Sequence, residues 1–322
     1  MPNSTTVTEF LLTRFSDVWG LRVLHATLFL LMYLATLMGN LLIVIATTFD
    51  WNLHSPMYFF LRNLSVIDMC YISVIIPKAC VIFLLDTTAI SMAGCAAQIF
   101  LVFLFATVEL LFLTIMAYDR YVAICQPLHY PVVMNPRVCV QMTLASVLSG
   151  LANSALHTGN TFWLPFCQSN VVPQFFCDVP SLLKLSCSDT LINQIFLFIS
   201  MVVIAGGCFA FITMTYIHIF SNVLKFPTRG ERGKAFSTCV PHILVVTMFV
   251  FSAGAVYMKP TSNLPTIQDT INSVFYSIVP PFLNPIIYSL RNKQIKEAVK
   301  RFMRRMVYSG KKNRMFEALP FC

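Results

Sequence analysis

Charge is what this sequence has least of: Asp, Glu, Lys and Arg make up only 11% of its 322 residues, where a soluble domain averages about a quarter. No polar stretch is long enough to stand apart, so one integral membrane domain is expected. Enzyme templates are missing as well. There is no H-E-x-x-H, no G-x-S-x-G and no phosphate-cradling G-x-x-x-x-G-K. The six histidines, His25, His54, His129, His157, His218 and His242, have no metal-ligand spacing. The chain is therefore expected to be no enzyme and to carry no catalytic residue. Internal repeats of the kind transporters show are not evident. Met1 to Gly20 holds Asn3, Glu9, Arg14 and Asp17. It lacks the basic start and apolar core of a signal peptide, so none is expected.

Apolar residues fill the space left by charge: they are 57% of the chain, with a mean hydropathy of +0.74. A helix needs roughly 20 mostly apolar residues to cross a bilayer. Seven segments meet that need, about 23–48, 56–84, 94–124, 139–163, 192–224, 235–258 and 270–290. The expected fold is an all-α membrane protein, a seven-transmembrane helix bundle. Its parts would be an N-terminal segment at 1–22, the bundle at 23–290 and a tail at 291–322.

Basic residues orient the bundle, because Lys and Arg accumulate on the cytoplasmic side. Seventeen of the 22 fall on one side, among them Arg62, Arg120, Arg137, Lys225, Arg232 and the tail from Arg291 to Arg314. Arg14, Arg22, Lys78, Lys184 and Lys259 fall on the other. The N-terminus is thus expected outside and the tail inside, as an odd number of spans requires. The formal charge of +9 reads as topology and attraction to anionic lipid, not nucleic-acid binding. On the outer side, "NST" at Asn3 is a glycosylation acceptor. Cys167, Cys177 and Cys187 share one outer connection and Cys95 opens the third span. Four cysteines allow three pairings. Cys70, Cys80, Cys139, Cys208 and Cys239 lie within spans and are expected to pack as small apolar residues.

Charges inside a membrane demand a role, since each costs several kcal/mol there. Asp68 falls midway along the second span and Glu109 midway along the third. Two carboxylates in a dry cavity cannot both stay ionised unless a cation sits between them. They are read either as a candidate Na+ or proton site or as a hydrogen-bonded acid pair holding helices together. Asp119 and Arg120 lie at the cytoplasmic mouth of the third span. There they serve as an interfacial anchor or as a latch in which Asp119 restrains Arg120. In "PPFLNPIIYSLRN", Pro285 removes a helical hydrogen bond and Asn284 can answer the freed backbone. In "NKQIKEAVKRFMRRM", Ile295, Val299, Phe302 and Met306 recur at helical spacing among Lys and Arg, which reads as an amphipathic helix on the inner leaflet.

Five stretches together carry a resemblance. "GN" at Gly39-Asn40, "LHSPMYFFLRNLSVIDMC" from Leu53, "MAYDRYVAICQPLHY" from Met116, "KAFSTC" from Lys234 and "NPIIYSLRN" from Asn284 resemble the odorant receptor family of rhodopsin-like G-protein-coupled receptors. The resemblance covers nearly the whole chain. It implies a volatile odorant as ligand, a stimulatory or olfactory-type heterotrimeric G protein as partner, cAMP as output and the plasma membrane as location. It implies disulfides Cys95–Cys177 and Cys167–Cys187. It tilts Asp68 and Glu109 toward an internal Na+ site, with no other cofactor. Arg120, beside Tyr121, would contact the Gα C-terminal helix, with Tyr216 and Tyr288 swinging in to support it. Asn284 and Pro285 match the seventh-helix switch, and His242 a position facing Arg120's helix.

Two departures stand out. Pro241 replaces the family's common Ser, and "FVF" replaces an "FYG" stretch, which leaves Phe251 as a substitute aromatic for the pocket floor near Val250.

Inward positions of the third helix, by its period, are Val102, Phe103, Ala106 and Thr107. The resemblance adds Ser200, Ile204, Val250, Gly254, Tyr257, Val274 and Ser277. The set is apolar with a few hydroxyls and no charge, so the expected ligand is small, neutral and hydrophobic. Hydrogen bonds would come from Thr107, Ser200, Tyr257 or Ser277. An ion-coupled transporter using Asp68 and Glu109 is the alternative reading.

Overall fold

In the computed structural model the described residues are 7–85, 87–167, 169–225, 228–257, 267–291, 294–302 and 304. Asn3, Met306 and the end of the tail lie outside them. Among the described residues, 294–302 are helical and ten further α-helices are bounded, seven long stretches among them. They are α1 (Trp19–Phe49), α2 (Pro56–Leu84), α3 (Met92–Cys125), the short α4 (Tyr130–Val133), α5 (Pro136–Phe162), the short α6 (Val179–Leu183), α7 (Leu191–Met201), α8 (Gly207–Val223), α9 (Arg229–Tyr257) and α10 (Ile267–Arg291). A π-turn, Val202–Gly206, fuses α7 to α8, so the fifth long stretch runs Leu191–Val223. Helices dominate because no water inside a bilayer can satisfy backbone N–H and C=O groups.

Local signals set the helix starts. Ser91 accepts the Gly94 N–H at 3.1 Å to open α3, and Asn135 accepts the Val138 N–H at 3.0 Å to open α5. Prolines occupy the first turn of α2 and α5, where their missing N–H costs nothing. Among the described residues, α1, α2, α3, α5 and the α7–α8 stretch are long and apolar enough to cross a membrane. The last two long helices reach 29 and 25 residues. In α9 the apolar run is shorter, Cys239–Ser252, because its first turns carry Arg232 and its glycine-rich approach.

α3 is the axis of the bundle. It packs on α2, α5, α8 and α9, and 56% of its most apolar stretch is buried, against 11% for Leu191–Val223. The outer helices instead turn Leu28, Leu31, Met38, Leu41, Leu144 and Leu148 outward, as lipid-facing surfaces do. Small residues permit the closest approaches. A Cβ on Gly39 would meet the Pro285 ring at 3.0 Å, and one on Gly150 would meet Val108 Cγ2 at 2.8 Å. These two sites bring α1 to α10 and α5 to α3.

One end of the bundle carries a cap that composition did not announce. β1 (Glu9–Leu12) pairs antiparallel with β2 (Ala89–Ser91) and parallel with β3 (Val171–Val172). Disulfides join Cys95 to Cys177 and Cys167 to Cys187, with Cα–Cα distances of 5.6 and 5.8 Å. The first pins the long connection onto α3, and the second closes that connection on itself. Cys139 and Cys239 are buried thiols, Cys80 and Cys208 are half-buried, and Cys70 is exposed. The exposed Cys70 departs from the expected buried packing, because its face of α2 points away from the bundle.

Asp178, beside the disulfide, is buried with Oδ1 unpartnered. Burial pushes its carboxyl up to about 6, while hydrogen bonds from Ser181 and the charge of Lys184 pull the other way.

Two outcomes follow from this packing. Gly150→Val should wedge α3 from α5 and lower cell-surface receptor severalfold, an overpacking cost of about 1–3 kcal/mol. Gly159→Ala, at a site with nothing within 4 Å, should leave surface staining unchanged. A carboxyl raised in the folded state contributes stability below its ordinary value of 3.8, and that contribution is lost as pH rises through about 6. The melting temperature of purified receptor should therefore gain from acidification across that window. In Asp178→Asn, that part of the gain should vanish.

Candidate functional site

Between α3, α5, the α7–α8 stretch, α9 and α10 lies a cavity of about 640 Å³, within the usual range for small-molecule sites. Eight of the expected residues line it: Val102, Phe103, Ala106, Thr107, Ser200, Ile204, Val250 and Gly254. Two do not. Val274 packs in the apolar cluster around Phe175, Phe176 and Tyr276. Ser277 is fully buried and donates to the Ser273 carbonyl at 2.6 Å. α10 is turned so that Tyr276 faces the cavity instead; one residue along a helix is about 100° of rotation, enough to exchange them. The side chain of Tyr257 lies outside the described residues. Phe251 does not serve as the floor aromatic, because it is 70% exposed on the outer face of α9. Phe249 and Val250 line the cavity there.

Several lining residues were not anticipated. Gln194, Leu197, Phe198 and Met201 form one face of α7, and their i, i+3, i+4, i+7 spacing was a readable signal. Asn153 enters from α5. The π-turn supplies Val202, Ala205 and Gly206; such turns recur at functional sites, and a continuous apolar run hides them. Polar contacts concentrate on the α5 side. Asn153 Nδ2 donates to Thr107 Oγ1 at 3.0 Å, and His157 Nε2 lies 2.8 Å from Ser200 Oγ. The His157 ring stacks on Phe103 at 4.7 Å between centroids. Among the lining residues no side chain is acidic or basic.

Midway down the bundle Asp68 and Glu109 meet. Both are buried, and Asn284 Nδ2 touches both: Asp68 Oδ2 at 2.9 Å, Asp68 Oδ1 at 3.2 Å and Glu109 Oε1 at 3.1 Å. One amide thus links α2, α3 and α10. Among the described residues no group of three His, Cys, Asp or Glu could hold a metal ion. An alkali cation beside this pair would rely on two carboxylates and neighbouring carbonyl or hydroxyl oxygens.

At the other end of α3, Arg120 is buried, with Nε and Nη1 unpartnered. It lies beside Tyr216, Tyr288 and Cys239. Tyr216 OH and His242 Nδ1 are 2.8 Å apart. Asp119, whose charge still interacts with that of Arg120, has a second partner here. It accepts a hydrogen bond from Tyr130 OH at 2.9 Å, since adjacent helical residues point about 100° apart. Burial first, then the Asp119 carboxylate, raises the Tyr130 phenol well above its ordinary value and keeps it a donor. Tyr121 turns aside, toward Tyr118 and His218. Pro285 sits against Gly39.

The model of the olfactory receptor family matches residues 29–306. The human (Homo sapiens) protein Olfactory receptor 14C36 is 64% identical over 309 residues, 96% of this chain and 99% of that protein. Olfactory receptor 14A16, also human, is 50% identical over 93% of this chain and 96% of its own length. Olfactory receptor 14L1 is 49% identical over 93% and 92%. With its long apolar helices, its disulfide-pinned loop and a match that runs from the first span to the tail, this multi-pass membrane chain belongs to the olfactory receptor family, whose members are receptors and not enzymes.

Proposed function

We propose that the chain binds a small, neutral, hydrophobic odorant in the cavity between α3, α5, α7–α8, α9 and α10, and activates a stimulatory or olfactory-type heterotrimeric G protein, raising cAMP. The observation that carries this reading is the charge-free cavity on the same helix as the Arg120 cluster. Ligand binds better to the state in which α9 swings outward and raises its population. Arg120 then meets the C-terminal helix of Gα, with Tyr216, Tyr288 and His242 as its bundle-side neighbours, Asp119 and Tyr121 flanking it, and Asn284 and Pro285 as the hinge region of α10.

The receptor sits in the plasma membrane with its N-terminus outside, Asn3 glycosylated and its tail inside. The basic residues support that orientation. Residues 294–302 are helical and lie on the inner leaflet as an amphipathic helix. Ile295 and Ala298 are buried, Tyr58 OH donates to Gln294 Oε1, and Arg301 pairs with Asp50, which supports a docked position beside α1 and α2. Asp68 and Glu109 take a Na+ ion in the inactive state, with Asn284 completing the polar floor.

Replacing Arg120 with Ala should abolish odorant-stimulated cAMP while surface staining stays near that of the parent. Undiminished signalling in that variant would sink the coupling role. Charged amines or acids activating as strongly as neutral odorants would contradict the assigned ligand class.

A further inference from the structure

We infer that the cavity has an entrance from the lipid, between the α7–α8 stretch and α9, through which neutral hydrophobic molecules dissolved in the bilayer reach it. The inference rests on the reading of the cavity as the ligand site and adds the route by which that site fills. Burial separates one edge of the cavity from the rest. Val102, Phe103, Thr107, Leu110, Leu183 and Leu197 all line it, and each is between 3% and 8% exposed. The cavity's own inner surface therefore adds little to a residue's exposure. Phe198, Val202 and Phe209 line the same cavity, yet they are 49%, 51% and 38% exposed. They face the cavity on one side and the surroundings on the other, so the wall there is one side chain thick.

Helical geometry sets which way that edge looks. Phe196 and Ser200 turn toward α5: the Phe196 and His157 ring centroids are 5.1 Å apart, and Ser200 Oγ lies 2.8 Å from His157 Nε2. Phe198 stands two residues from each, about 200° round the helix, and so faces away from α5. Phe249, Val250 and Gly254 line the cavity from α9. α7 packs on α5 and α6, and it is α8, further along the stretch, that packs on α9. The entrance therefore lies beside α7 and the π-turn. Glycine thins the wall further. Gly206, the last residue of the π-turn, lines the cavity and is exposed. A Cβ placed on it would meet nothing nearer than Val202 Cγ1 at 4.0 Å, which leaves open space where a side chain would close the edge.

The capped end is held differently. Pro180 and Leu183 of α6 line the cavity from there, and Val179 and Leu182 beside them are buried. α6 follows directly on Cys177, which is tied to α3 by its disulfide and by its N–H donating to Gln98 Oε1 at 2.8 Å. An edge of Phe, Val and Gly admits a neutral hydrophobe from lipid. A charged molecule would first have to enter the hydrocarbon, at a cost of several kcal/mol.

Photolabelling of receptor in lipid nanodiscs tests the route without an agonist. One probe is phosphatidylcholine with a diazirine midway along an acyl chain, the other a diazirine on water-soluble polyethylene glycol, and mass spectrometry reads the labelled residues. The lipid probe should label Ala106 and Val250 in the cavity as well as Val203 on the exposed face, and the polymer should label neither cavity residue. Gly206→Leu should lower lipid labelling of Ala106 and Val250 severalfold and leave Val203 unchanged. Gly207→Leu, one residue on at a site with nothing within 4 Å, should alter none of the three. Lipid labelling confined to Val203, cavity labelling by the polymer, or cavity labelling that survives Gly206→Leu would overturn the entrance. Those results leave the cavity reading intact; that reading fails separately, if receptor at the surface gives no cAMP response to any neutral hydrophobic odorant.

Discussion

A carboxylate far from water must be answered from inside the bundle, and the Asn284 amide that touches both Asp68 and Glu109 is where that demand is met. Its single nitrogen ties α2, α3 and α10 together at mid-depth. The demand is strict because unsatisfied polar groups are costly in lipid. The α3 residues to which the proposed function assigns roles are arranged with respect to this point. Thr107 lies just outward of Glu109, and Arg120 lies 13 residues beyond Thr107, about 20 Å at a rise of 1.5 Å per residue. Thr107, Glu109 and Arg120 are therefore stations on one largely buried helix, and the other helices pack around it.

The Arg120 end of α3 illustrates how neighbouring charges divide labour. Asp119 and Arg120 are adjacent in sequence, yet they serve different partners: Asp119 takes the Tyr130 hydroxyl, and Arg120 faces Tyr216 and Tyr288. Tyr130 belongs to the connection after α3, so Asp119 holds that connection against the helix end. In this arrangement Arg120 is already turned toward the tyrosines of α8 and α10, which is the set of contacts the proposed coupling state requires.

Much of the fold was legible in the sequence because lipid imposes a single rule on length and polarity. All seven expected spans coincide with long helices, with ends shifted by a few residues where Ser91, Asn135 or prolines set the first turn. Individual side chains were less legible. Periodicity names a face but not the rotation of a helix about its axis, which is why Tyr276 stands where Ser277 was expected and why Phe251 points outward. The π-turn at Val202–Gly206 leaves no mark in an unbroken apolar run. The strands escaped for a different reason: they are only four, three and two residues long, and Leu11 finds its partner at Val171. Asn153 was passed over because a lone Asn in a span is usually structural, and only its contact with Thr107 shows what it faces.

The account stands on ligand in the outer cavity changing the availability of Arg120 to a G protein. Guanine-nucleotide exchange on a purified stimulatory heterotrimer, with the receptor in lipid nanodiscs, reads that link without cellular intermediates. Exchange should accelerate in proportion to occupancy of the receptor by a neutral, hydrophobic odorant. Saturating binding of such an odorant in the cavity with no change in the exchange rate would contradict the account.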